Sequence, residues 1–146
     1  MPIADSIIKT KLRDQSRVTW ARRWRQEPTC RQTRLVLPEP MPQMAKFLFK
    51  LSRHYLSMMV HFISGHNHLR YHQVLTGKTR IIECRLCGEC AETAWHILRD
   101  CPALEMARLM AFLEDQSKSN PPPDRLFQFI TTNIPHLLVY PNLASV

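Results

Sequence analysis

The stretch "CRLCGECAETAWHILRDCPAL", residues 84–104, decides how this chain is read. It holds four of the chain's five cysteines beside one histidine. A structural zinc site needs four thiolate or imidazole ligands at tetrahedral corners, two commonly from a Cys-x-x-Cys turn and two from a following helix or loop. Cys84-x2-Cys87-x8-His96-x4-Cys101 supplies that set. Gly88 lets the chain fold back over the ion. Thr93 is placed to start a helix that presents His96, with Cys101 just past its end. Cys90 offers a competing register, Cys87-x2-Cys90-x5-His96-x4-Cys101, and spacing alone leaves both open. The eight-residue gap gives the helix more room and favours Cys84. Four protein ligands leave no open position for water, so the expected Zn2+ is structural rather than hydrolytic.

Working outward, an odd number of cysteines crowded beside a histidine points to metal in a reducing compartment, cytoplasmic or nuclear, rather than to a secreted disulfide scaffold. The N-terminal "MPIADSIIKTKLRDQ" has no apolar core of a cleavable signal. The longest apolar patch, "SMMVHFI", is interrupted by His61 and is far too short to span a bilayer. At 146 residues and 45% hydrophobic, the chain has the size of one domain with a core. Eleven prolines against three glycines imply short elements.

The net charge of +8 is uneven. Residues 1–34 carry nine Lys/Arg against three Asp/Glu, whereas residues 84–146 carry five against seven. A basic N-terminal part suggests a polyanionic partner, most often nucleic acid.

The first segment, "DSIIKTKLRDQSRVTWARRWRQEP", reads as a helix capped at Asp5 or Ser6 and stopped by Pro28. Trp20 sits about 120° round from Ile8 at roughly 100° per residue, so one helix cannot offer Ile8, Leu12, Trp20 and Trp24 to one flat core. Either it breaks near Ser16 or a partner wraps it. A long amphipathic helix is expected over 42–64, with Met44, Phe47, Leu51, Tyr55, Met58 and Phe62 on one face and Gly65 as its C-cap. A short helix capped by Asn67 and closed by Gly77 comes next, then an extended approach, "KTRIIE". Residues 92–100 should be helical, and Pro102 opens another helix to about Glu114. "SKSNPPP" reads as a linker, and Asp124 caps a last helix.

The expected fold is mainly α, a small helical domain built on a CCHC zinc knuckle. Its parts are a basic Trp/Arg-rich arm (1–34), a helical segment (35–83), the knuckle with its following helix (84–116) and a Pro-broken C-terminal tail (117–146). Arg13, Arg17, Arg22, Arg23 and Arg25 on the arm are candidate phosphate contacts. Arg85, Trp95 and Arg99 would add contacts to RNA or DNA beside the metal, Trp95 as a stacking face. His66, His68 and His72 lack thiolate or carboxylate partners nearby, and capping or packing suits them better than a second metal. Cys30 stands apart. No phosphate loop, catalytic triad or paired-carboxylate magnesium site is evident, so no enzyme is expected.

In combination, "W…W…RQTRLVLPEP", "LSRHYLSMMVHFISGHNHLRYH" and "CRLCGECAETAWHILRDCPAL" resemble the C-terminal tail of non-LTR retrotransposon polyproteins, downstream of the reverse transcriptase and RNase H domains. The family's turn after a helix is matched by Ser64-Gly65-His66. Its Cys-x-x-Cys, Glu-Thr, histidine and final Cys-Pro fall on Cys84, Cys87, Glu92-Thr93, His96 and Cys101-Pro102. The family carries an acidic or polar residue where Cys90 stands, which again favours Cys84. The resemblance covers roughly residues 15–110. It implies a zinc-stabilised accessory that binds single-stranded nucleic acid during reverse transcription and integration, alone or with a reverse transcriptase polyprotein. The alternative is a zinc-stabilised protein-interaction module that docks on a polymerase or another partner.

Overall fold

The computed structural model describes residues 2–113 and 120–138. It is mainly helical, as expected. The α-helices in chain order are α1 (Pro2–Gln26), α2 (Arg31–Val36), α3 (Pro42–Leu48), α4 (Arg53–Ser64), α5 (Arg70–Leu75), α6 (Glu105–Phe112) and α7 (Pro123–Asn133). Between α5 and α6 lie a π-helical turn, His96–Asp100, and a 3-10 turn, Pro102–Leu104. A last 3-10 turn, Pro135–Leu137, follows α7. The expected extended approach to the cysteines reduces to one antiparallel bridge between Glu83 and Ala91.

α1 does not break at Ser16. No glycine interrupts it, Asp5 lies in its first turn, and Arg23 and Arg25 lie in its last, charges that suit the helix dipole. Its two apolar directions are left in solvent instead: Leu12 is 57% and Trp20 49% exposed. Its end is fastened to the body. Trp24 Nε1 donates to the Leu37 carbonyl at 3.0 Å, Arg34 donates to the Trp24 carbonyl at 3.3 Å, and Arg25 pairs with Glu39 at 2.9 Å.

The helix expected over 42–64 is two helices. Lys50 and Leu51 bond back to Phe47 and Leu48 in tight i→i+3 turns, and Ser52 is extended at ψ 157 before α4 starts. In one continuous helix Phe47 and Tyr55 would lie about 12 Å apart along the axis. With the break, both rings meet Phe127 of α7 edge-on, at 5.7 and 5.3 Å. Ring-edge pairs of this kind contribute about 0.5–1.5 kcal/mol each beyond their burial. Periodicity places both rings on one face but does not see the partner that rewards bending the chain.

The core is a single cluster around Phe62 of α4, Ile97 of the π turn and Phe129 of α7, with Val36 of α2 beside them. Cys84 and Cys101 belong to the same cluster. Gly65 caps α4 at φ 77, and a Cβ there would come within 2.7 Å of Gln32 Cβ. That close approach seats α2 on the end of α4, so glycine is required twice over. Asn67 does not cap α5. It accepts the Leu69 amide at 3.0 Å just ahead of the helix. Asp124 lies inside the first turn of α7 rather than capping it. Asn120 and the Glu39 backbone exchange two bonds, at 3.0 and 2.8 Å. Glu114, residues 117–119 of the expected linker and the tail beyond Leu138 lie outside the described residues.

Candidate metal centre

The cysteine turn is held by backbone bonds that the sequence makes available locally. The Gly88 amide donates to the Cys84 carbonyl at 2.8 Å, and Gly88 takes φ 73, the left-handed conformation that closes such a turn. The Leu86 amide points at Cys84 Sγ, 3.4 Å away. The chain then doubles back, with the Cys84 amide on the Cys90 carbonyl at 2.7 Å and the Glu92 amide on the Ile82 carbonyl at 2.9 Å. Thr93 Oγ1 accepts the His96 amide at 2.9 Å and so starts the helical segment, as expected.

From His96 to Asp100 the segment is not an α-helix. The Cys101 amide bonds to the His96 carbonyl at 2.7 Å, an i→i+5 closure. In an α-helix residue i+5 stands about 140° round from residue i at roughly 100° per residue. The wider π turn brings Cys101 back beneath His96, a use typical of such turns at functional sites. The four-residue spacer between His96 and Cys101 is the signal for it, although the same spacer fits a helix followed by a ligand.

The donor atoms of Cys84, Cys87, His96 and Cys101 all lie within 4.8 Å of one another. Cys84 Sγ and Cys101 Sγ are 4.0 Å apart, and Cys87 Sγ and His96 Nε2 are 3.4 Å apart. A tetrahedral zinc with Zn–S of about 2.3 Å and Zn–N of about 2.0 Å has edges near 3.8 Å between sulfurs and about 3.5 Å between sulfur and nitrogen. The four residues are thus positioned to bind a metal, and the cage is compatible with zinc. Cys90 is exposed and outside the group. The geometry assembles the Cys84 register and not the alternative.

Electrostatics fit the same chemistry. Burial holds His96 below the usual imidazole value and keeps it neutral, the form that ligates. Amides of Glu89 and Cys90 aimed at its sulfur hold Cys87 below the ordinary thiol value against the opposing effect of burial. Burial, with Cys84 alongside, pushes the Cys101 thiol up to about 12. A thiol so buried keeps its proton without a cation, and a divalent ion beside it would displace that proton.

A second feature escaped the sequence reading. Glu92 is fully buried, and its carboxylate accepts the Arg85 amide at 2.7 Å, the Arg70 amide at 3.0 Å and the Arg85 guanidinium. Burial pushes this carboxyl up, but the Arg85 guanidinium and the two amides outweigh it and hold Glu92 below the usual carboxylate value. Arg85 also donates to the carbonyls of His68 and Leu137, at 3.1 and 3.4 Å. The residue inside the Cys-x-x-Cys turn is therefore a strut from the metal centre to α5 and the chain's last turn. Its guanidinium is committed to these partners, with 32% of the side chain left exposed. An arginine between the two cysteines, with Glu89 and Glu92 a few residues past them, was the available signal.

The remaining candidates divide. Arg99 stands over the half-buried Trp95 ring at 5.7 Å, so the structure brings that pair together beside the metal ligands. Arg13, Arg17, Arg22 and Arg23 are exposed on α1, Arg17 near Asp14 at 3.9 Å. Arg25 is committed to Glu39. His66 and His72 meet edge to face at 5.2 Å and join no group of three or more ligands among the described residues. No helix among the described residues is long and apolar enough to cross a membrane. No family model, curated protein or solved structure matches this chain.

Proposed function

We propose that the chain is a non-catalytic zinc-binding, nucleic-acid-binding module, a CCHC knuckle with a basic arm, of the kind its resemblance to retrotransposon polyprotein tails implies. Zn2+ on Cys84, Cys87, His96 and Cys101 orders the body, and single-stranded RNA or DNA binds along α1 and at the Trp95–Arg99 pair. The observation that carries the reading is the contrast in where arginines go. Arg25 and Arg85 are used inside the fold, whereas Arg13, Arg22 and Arg23 are exposed on one helix without a partner among the described residues.

The test is the salt dependence of binding to a single-stranded oligonucleotide. With Arg25 and Arg85 committed, Arg13, Arg17, Arg22 and Arg23 leave about four phosphate contacts, and the log–log slope should lie near −2.8 at about 0.7 per contact. A flat response, or no binding at low salt, refutes the reading. The second reading, docking to a protein such as a polymerase, draws on Leu12 and Val18, 57% and 68% exposed on α1. It predicts that Leu12→Asp abolishes partner binding and leaves the oligonucleotide slope unchanged.

A further inference from the structure

Two sequence signatures, Ser64-Gly65-His66 and Glu92-Thr93, converge on one cavity of about 330 Å³. Its floor includes buried Leu69 and Ala94. Half-buried Tyr71 and His72 form a wall, and exposed His66 and Arg31 stand at the mouth. The polar groups at its base are already satisfied: Glu92 by Arg85 and Arg70, Asn67 by Leu69 and His61. What the cavity offers a ligand is an apolar floor, an aromatic wall and one cation at the entrance.

That combination suits a flat, weakly polar ring attached to an anion. A metal does not suit it, since the two imidazoles gather no third ligand among the described residues. Its volume is at the low end of the ~300–1,000 Å³ of ligand pockets, room for one small ring system. Burial, with His66 alongside, holds His72 below the usual imidazole value, which keeps that ring an uncharged stacking face. The approach is also supplied, because α1 ends at Gln26 and Arg31 follows five residues later.

We propose that this cavity receives one unpaired nucleobase of a bound single strand, stacked on the His72 ring with His66 and Tyr71 beside it, and with Arg31 on its phosphate. The proposal rests on the nucleic-acid reading of α1 and adds a base-accepting site to it.

The zinc-loaded full chain is titrated with a single strand and with an abasic strand of equal length and charge. The wild type should prefer the base-bearing strand. His72→Ala should weaken that strand about tenfold, as loss of one base stack does, and leave the abasic strand unchanged. Equal loss on both strands, or no loss on either, overturns the cavity proposal while α1 stands. Failure of the wild type to bind either strand at low salt overturns both readings together. Should His72→Ala lower zinc content or melting temperature, adenosine monophosphate titrated into the wild type decides instead. Shifts in the His66 and His72 ring resonances sustain the site, and unmoved rings refute it.

Discussion

Residues 84–104 bury Cys84, Glu92, His96, Ile97 and Cys101 within a stretch that has one β-bridge and no α-helix. α1 is of similar length and fully regular, yet no side chain described in it is buried. The ordinary relation between regular structure and tertiary order is reversed. Backbone hydrogen bonds and local side-chain contacts run along α1, and its last turn is fastened to the body. A Cys3His group positioned to bind a metal and a buried carboxylate sit in an irregular segment and join it to the core. A chain with two such anchors in its centre can leave a charged helix facing outward.

The sharpest way to break the contrast is to remove the ion. Cys101→Ser should lose the metal and unfold residues 84–104 together with the core they share, while Cys90→Ser should keep full metal content and melt as the wild type does. Metal content and melting temperature check both. Structural zinc sites contribute roughly 10–16 kcal/mol of binding free energy, so this effect should exceed all others.

Next comes the carboxylate. Glu92→Gln leaves the Arg85 guanidinium without its counter-charge and should cost about 2–4 kcal/mol at neutral pH, by denaturant unfolding. Because the folded carboxyl lies below its ordinary value, its stabilisation is present above the ordinary carboxylate range and is lost as pH falls through the folded value. The gap between wild type and variant should therefore close on acidification. A gap that stays constant from neutral to strongly acid pH would contradict the pairing.

A smaller loss, about 1–3 kcal/mol, is expected for Gly65→Ala, which meets Gln32 and a positive φ together. The smallest belongs to α1. Arg22→Ala with Arg23→Ala should move stability by under about 0.5 kcal/mol per site. It should flatten the salt dependence of single-strand binding by about 1.4. A large drop in melting temperature would show that α1 carries a share of the fold after all.

The same contrast explains what could be read from the sequence. The clustered Cys3His group was legible because a metal site imposes residue types and spacing that chance seldom supplies, and the mainly helical class came from helical periodicity. The π turn was not, since a four-residue spacer fits an α-helix followed by a loop as well as an i→i+5 closure. The break at residues 49–52 depends on Phe127, about 75 residues away, which no local pattern reports. Arg85 looked like any basic surface residue because its partner Glu92 meets it only after the turn closes. The continuity of α1 was hidden for the opposite reason: its apolar residues implied a core that the helix does not enter.

X-ray absorption at the zinc edge of the purified full chain tests the central claim most directly. The account predicts three sulfurs at about 2.3 Å and one nitrogen at about 2.0 Å from a single ion per chain. A shell of four sulfurs, or a chain that folds without zinc, would contradict it.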